Sequence, residues 1–289
     1  MVLTVIVCVF GETFLQRCCD SLSFNDQLDE ELEVLVGKPD DIANLIMRAR
    51  GRYCMLVDAD NWLDIDELPQ VVAELKQVDL DLIVTDYWIN DVRRSESYSV
   101  RMMRVESGQE VPLALSKEVR RLCPDVLIVK TDRLQHAWKM LHPQITYRLG
   151  ADILATIILE VDSVWKSKAS VLHRCTGQKT DRTSAFVLFP WRAKHAQEAW
   201  QLMRWLRTRK WQENQKALLN ELAIAILNEH YEIYYQNMEL TGRERRELLQ
   251  FDRALKQMAP SLYTRIPAAR HSKQQLNRLY QWCRKKVLK

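Results

Sequence analysis

Apolar and polar positions follow two regimes along this chain. Through the first 180 or so residues, short apolar runs of strand length recur at Leu3–Val9, Leu32–Val36, Tyr53–Val57, Leu80–Thr85 and Val126–Val129. Helically spaced stretches separate them at Thr13–Ser23, Asp40–Arg50 and Ile65–Val78. The β-branched residues Val2, Thr4, Val5, Ile6, Val7 and Val9 mark the first run as a central strand. This alternation predicts an α/β fold on a mostly parallel sheet with helices on both faces. Residues Tyr87 to Val119 break the pattern. They are polar, carry Arg93, Arg94, Arg101 and Arg104, and predict a functional loop region or a small antiparallel excursion.

From about Thr183 the strand patterns stop, and helices are predicted over Phe189–Arg209, Gln212–Asn237, Thr241–Met258 and Ser272–Val287. Two of them open on capping boxes, Thr241-x-x-Glu244 and Ser272-x-x-Gln275. The expected organisation is an α/β domain over residues 1–182 followed by an all-helical domain over 183–289.

Composition narrows the classes. With 289 residues, 47% hydrophobic and 28% charged, the chain is globular and long enough for one large domain or two ordinary ones. Seven cysteines, among them adjacent Cys18 and Cys19, form no CxxC pair, which predicts reduced thiols and a cytoplasmic setting. The apolar opening Met1–Phe10 is about half the roughly 20 residues a spanning helix needs, and it lacks a basic start. No transmembrane segment is expected. Charge is uneven: Arg243 to Lys289 holds thirteen Lys/Arg against three Asp/Glu, a local +10, so a total of +4 leaves −6 for the rest. Such a tail suits an anionic surface, or is the solvated face of ordinary helices. No nucleic-acid-binding motif accompanies it, so nucleic acid is not an expected partner. Trp191, Trp200, Trp205 and Trp211, interleaved with basic residues, fit a membrane interface or plain helix packing equally.

The strongest chemical signal is Arg50-Gly51-Arg52-Tyr53-Cys54-Met55-Leu56-Val57-Asp58-Ala59-Asp60. Gly51 breaks the helical pattern, an apolar strand follows, and two carboxylates end it. Open α/β sheets present ligands at the carboxyl ends of their strands. Carboxylates that close repel unless a cation lies between them. A hard divalent ion that also grips a diphosphate would satisfy both. The plain alternative is a polar turn capping the next helix. Trp62 just beyond is read as a ring for a sugar or base, or as a core tryptophan.

Three segments together resemble the family 2 glycosyltransferases of the GT-A fold. They are Val5-Ile6-Val7-Cys8-Val9-Phe10-Gly11-Glu12 with Phe14-Leu15-x-x-Cys18-Cys19-x-Ser21-Leu22; Ala49 through Asn61; and Gly150-Ala151-Asp152-Ile153-Leu154 followed by Val171-Leu172-His173-Arg174. The likeness covers about residues 1–180, the predicted glycosyltransferase domain. It implies a metal-dependent, inverting transfer of a sugar from a nucleotide sugar, a UDP-sugar, to a hydroxyl of a glycan, lipid-linked or glycoconjugate acceptor in surface polysaccharide synthesis. The donor would contact Val9, Phe10, Glu12, Asp40 and Asp58. Mn²⁺ or Mg²⁺ would be held by Asp60, Asp58 and His173, and Asp152 would be the general base. For Asp152 the other reading is a helix N-cap, and for His173 a structural hydrogen-bonding histidine.

The enzyme would work at the cytoplasmic face, with its basic C-terminal helices on an anionic membrane. One departure stands out. Where the family's second strand ends in Asp-Asp-Gly-Ser, this chain reads Gly37-Lys38-Pro39-Asp40-Asp41. A catalytically degenerate, glycosyltransferase-like assembly partner is therefore the second reading.

Overall fold

The computed structural model describes residues 1–9, 15–23, 28, 30–112, 124–140, 157, 161, 163–176, 189–208, 210–235 and 240–267. Contacts group the chain into two units, Met1–Asp181 with Glu213–Leu218, and Arg182–Gln212 with Leu219–Lys289.

The first unit is built on a seven-stranded sheet. Its strands are β1 (Leu3–Cys8), β2 (Leu32–Gly37), β3 (Tyr53–Asp58), β5 (Leu82–Val84), β8 (Gln109–Pro112), β9 (Leu127–Lys130) and β10 (Ser163–Lys166), in the order β2-β1-β3-β9-β5-β10-β8. β1, β2, β3, β5 and β10 point the same way, while β9 and β8 run against their neighbours. The expected mostly parallel α/β sheet is present, with Val126–Val129 inserted antiparallel at its centre. Every residue of β1 is buried, as suits a strand covered on both faces.

Around the sheet lie helices α1 (Leu15–Ser23), α2 (Ile42–Arg48), α3 (Leu68–Gln77) and α4 (Thr131–Met140). α3 starts three residues later than its apolar spacing predicts because Asp64 holds the preceding turn. Its Oδ1 accepts the N–H groups of Asp66 (2.9 Å) and Glu67 (3.1 Å), and Pro69 opens the helix proper.

The stretch Tyr87–Val119, expected as a functional loop region or a small antiparallel excursion, contains three strands among its described residues. β6 (Tyr87–Asp91) and β7 (Glu96–Val100) form a hairpin whose turn includes Ser95 at φ 54°. With β4 (Trp62–Leu63) and β11 (Leu172–Thr176) they make a second sheet in the order β4-β11-β6-β7. β8 joins the main sheet instead.

At the amino-terminal side of the main sheet a buried polar network ties β1, β2 and β3 together. The Gly51 N–H donates to Thr4 Oγ1 (2.8 Å), and the Thr4 hydroxyl donates to Glu33 Oε2 (2.8 Å). Glu33 also accepts the Arg50 N–H (2.8 Å) and its Nε (2.6 Å). Gly51 does more than end a helix. A Cβ there would stand 2.5 Å from Thr4 N and 2.7 Å from Leu3 C, so only glycine lets the chain pass this close to β1.

The second unit holds α5 (Arg192–Thr208), α7 (Gly242–Met258), the short α8 (Pro260–Tyr263) and most of α6 (Glu213–Tyr235). Leu202, Leu227, Tyr231, Leu248 and Leu255 are buried there. The expected capping box at Thr241 and Glu244 is formed. The Trp200 and Phe251 rings pack at 4.7 Å, which is helix-to-helix contact. The predicted helix Ser272–Val287 lies outside the described residues. No helix among them is long and apolar enough to cross a membrane.

Candidate functional site

β1 and β3 deliver the carboxylate turn to the carboxyl edge of the main sheet. Cys8 pairs with Asp58 as the last register of the two strands. Beyond it the Ala59 N–H reaches the Cys8 carbonyl (3.0 Å), and the Asn61 N–H closes a turn onto the Asp58 carbonyl (2.9 Å). Ala59 is buried, whereas Asp58 and Asp60 are half-buried on either side of it. Asn61 is also buried, and its Oδ1 accepts the Cys175 N–H at 3.2 Å, tying the turn to β11.

α1 braces the turn from another side. Ser21 Oγ accepts the Leu63 N–H (3.1 Å), and the Arg17 guanidinium carbon lies 3.4 Å from the Trp62 ring centroid. Cys18 is wholly buried. Burial first, then Cys19, Asp58 and Asp60, pushes its thiol up to about 12. Both acids are thus near enough to act on Cys18, which stays a neutral thiol at physiological pH.

His173 stands in a row of rings across the second sheet. It pairs with Trp62 on β4 and with Trp88 on β6, and its ring stacks with theirs at 5.3 and 6.2 Å. Nε2 lies 3.1 Å from Asp64 Oδ2, and Nδ1 lies 3.2 Å from Asn90 Nδ2. Ser97 donates to Asn90 Oδ1 (2.8 Å), which turns the Asn90 amide nitrogen toward the ring. The matching tautomer carries its proton on Nε2 and accepts at Nδ1. Burial alone would raise the Asp64 carboxyl, but hydrogen bonds from His173, Glu67 and Asp66 hold it below the usual range. Trp62 is buried inside this arrangement, so the core reading of that residue fits the structure.

Of the residues singled out from the sequence, Val9 follows β1 and donates its N–H to the Gly37 carbonyl (2.8 Å). Asp40 sits exposed on the turn after β2. Asp58 and Asp60 are brought together. His173 does not join them: among the described residues no three His, Cys, Asp or Glu side chains gather as a metal site would require. Phe10, Glu12 and Asp152 lie outside the described residues.

No protein-family model matches the sequence, and no curated protein matches it. Solved structures do. The chain is similar to S. aureus TarS in its 1–349 form in complex with UDP-GlcNAc, with a TM-score of 0.62 at 16% identity over 93% of this chain and 84% of that one. The 1–349 form in complex with UDP gives 0.58 at 14%, covering 95% and 92%. A longer TarS structure gives 0.61 at 15%, and there the chain spans 90% of itself but half of TarS. The chain shares the fold of these TarS structures, an α/β domain with a mostly parallel central sheet and a helical C-terminal region.

That fold directs attention to residues the motif search passed over. Leu82-Ile83-Val84-Thr85-Asp86 resembles the run that leads to Asp58, an apolar strand followed two residues later by a carboxylate at its carboxyl end. Asp64 and Asn90, which fix His173, carried no local signal because they meet it only through sheet pairing. Oxygen donors at Asp58 and Asp60 fit a hard divalent ion, which is bound through one or two carboxylates and completed by water and substrate phosphate. His173 has both ring nitrogens engaged, Nε2 by Asp64 and Nδ1 by Asn90, which is the structural hydrogen-bonding reading of that residue.

Proposed function

We propose that this chain is a family 2 glycosyltransferase that moves a sugar from a nucleotide sugar to an acceptor hydroxyl with inversion. One observation carries the reading. The Asp58-Ala59-Asp60 turn stands at the carboxyl edge of the central parallel strands, in a fold shared with a protein that binds UDP-GlcNAc and UDP.

The acceptor oxygen forms a bond to the anomeric carbon as the bond from that carbon to the diphosphate oxygen breaks. The nucleoside diphosphate leaves with the electron pair, and Asp152 takes the acceptor's proton. Asp58 and Asp60 would hold Mn²⁺ or Mg²⁺ through their carboxylate oxygens. The ion supplies Lewis-acid stabilisation of the departing diphosphate. Val9, Phe10, Glu12 and Asp40 border the nucleotide. The acceptor is a surface glycan or its lipid-linked precursor, and the basic C-terminal residues hold the enzyme at an anionic cytoplasmic membrane face.

Turnover of UDP-GlcNAc and other nucleotide sugars with Mn²⁺ tests the reading. Wild type should turn over, and Asp60→Ala and Asp152→Asn should each fall by more than about a hundredfold, the scale of several kcal/mol of lost transition-state stabilisation. Full activity in both variants refutes the assigned roles. The exposed position of Asp40, with Lys38 before it, favours a second reading as a noncatalytic assembly partner. Calorimetric titration of UDP with Mn²⁺ separates the two, because absence of binding supports the partner.

A further inference from the structure

A second carboxylate, Asp86, lies two residues past the carboxyl end of β5, a strand parallel to the one that carries Asp58. β9 pairs with both β3 and β5, giving the rows Cys54–Val129–Leu82 and Met55–Ile128–Ile83. β3 and β5 run parallel, so three residues beyond Met55 and Ile83 come Asp58 and Asp86. The strands that lead into them are two strand spacings apart, roughly 10 Å.

Asp86 is gripped from behind. Its Oδ1 accepts the Met102 N–H at 2.7 Å and lies 2.6 Å from Lys166 Nζ, while its side chain keeps 17% exposure. Lys166 is wholly buried. It ends β10 opposite Val84, and its carbonyl accepts the Gly108 N–H at 2.6 Å. Arg101 and Glu74 are the other charges that act on it. A buried ammonium costs several kcal/mol to desolvate, and an apolar pair of similar volume often serves stability as well or better. Structure alone therefore gives little reason for a lysine here. A carboxylate fixed at one oxygen, just past the carboxyl end of a sheet strand and still partly exposed, gives it a use.

We propose that Asp86 binds hydroxyl groups of the sugar carried by the nucleotide donor, and that Lys166 is the positioning residue that holds it. The inference rests on the nucleotide-sugar reading of this edge. Sugar hydroxyls donate to a carboxylate in charge-assisted hydrogen bonds, and a free nucleoside diphosphate, which keeps the ribose hydroxyls, lacks those of the transferred sugar.

The test is calorimetric titration of UDP and of UDP-GlcNAc, each with Mn²⁺, into wild type, Asp86→Asn and the double variant Asp86→Ala/Lys166→Met, which leaves no unpaired buried charge. The expected result is UDP affinity within about twofold of wild type and a selective loss for UDP-GlcNAc of about tenfold to a hundredfold. Equal loss for both ligands in both variants assigns the pair to folding alone and overturns the proposal. An unchanged affinity for UDP-GlcNAc overturns it as well. If wild type binds neither ligand, the nucleotide-sugar reading itself fails and takes this one with it.

Discussion

Gly51→Ala separates two accounts of one residue. As a helix terminator with no left-handed backbone requirement, Gly51 would accept alanine with a gain of ~0.4–1 kcal/mol, because the unfolded chain loses freedom. The close approach to β1 predicts the opposite sign. The added Cβ would stand 2.5 Å from Thr4 N, 2.7 Å from Leu3 C and 2.8 Å from Thr4 Oγ1, and two of those atoms are backbone. Overpacking of this kind costs about 1–3 kcal/mol. Displacing the Gly51 N–H from Thr4 Oγ1, now 2.8 Å away, adds about 1 kcal/mol. A total of about 2–4 kcal/mol lowers Tm by roughly 5–15 °C. Paired thermal and urea melts read this directly. Gly37→Ala is the control, since its Cβ meets Leu45 Cδ1 at 2.7 Å, the end of a side chain that can move, and its loss should be less than half as large. A Gly51→Ala midpoint equal to or above wild type would refute the close-approach account.

Three further outcomes follow from the same geometry. Burial would raise the Glu33 carboxyl, but hydrogen bonds from the Arg50 N–H, the Thr4 hydroxyl and the Arg50 guanidinium bring it below its ordinary value. Its stabilisation is therefore present above the unfolded pKa of about 4.3 and lost as pH falls through the folded value. Glu33→Gln should lower stability by about 1–3 kcal/mol at pH 7 and flatten the decline in Tm below pH 5; an unchanged acid slope would contradict this. His230 moves the other way in charge but not in sign. Burial first, then His195 and Arg192 against Glu229, lowers it to about 3, so the unfolded chain takes up a proton near pH 6.5 that the folded one refuses. Helix melts should lose about 2 kcal/mol between pH 7 and 5, and His230→Gln should remove that slope; a slope that persists in the variant means other groups cause it. Asn61→Ala removes the Oδ1 that accepts the Cys175 N–H and ties the turn to β11, and should cost about 1–3 kcal/mol, read as a lowered urea midpoint.

How much of this was legible depended on whether a feature is local. β1 and β3 are buried on both faces, so they read as unbroken apolar runs, and the carboxylates that end β3 stood out against them. β7 reads Glu96-Ser97-Tyr98-Ser99-Val100 and is exposed along most of its length, so no face imposed a period. β6 pairs in parallel with β11, some eighty residues later, and nothing near Tyr87 announces that partner. His173 shows the same limit within a site. Its motif marked it as a candidate ligand, but Asp64, Asn90 and the flanking Trp62 and Trp88 reach it only through the second sheet.

Asp86 is the instructive case, because its local signal was present and resembled that of Asp58. What it lacked was a second acid two residues on, the feature that made Asp58-Ala59-Asp60 look like chemistry. The importance of Asp86 comes from the pairings of β9 with β3 and β5, which set its strand parallel to the one that carries Asp58, and from Lys166, eighty residues away, which holds one of its oxygens. A paired-acid motif thus marks where a site begins. Its extent across the sheet follows from strand order and register, and a strand-ending carboxylate backed by a buried cation is the signature to seek next along that edge.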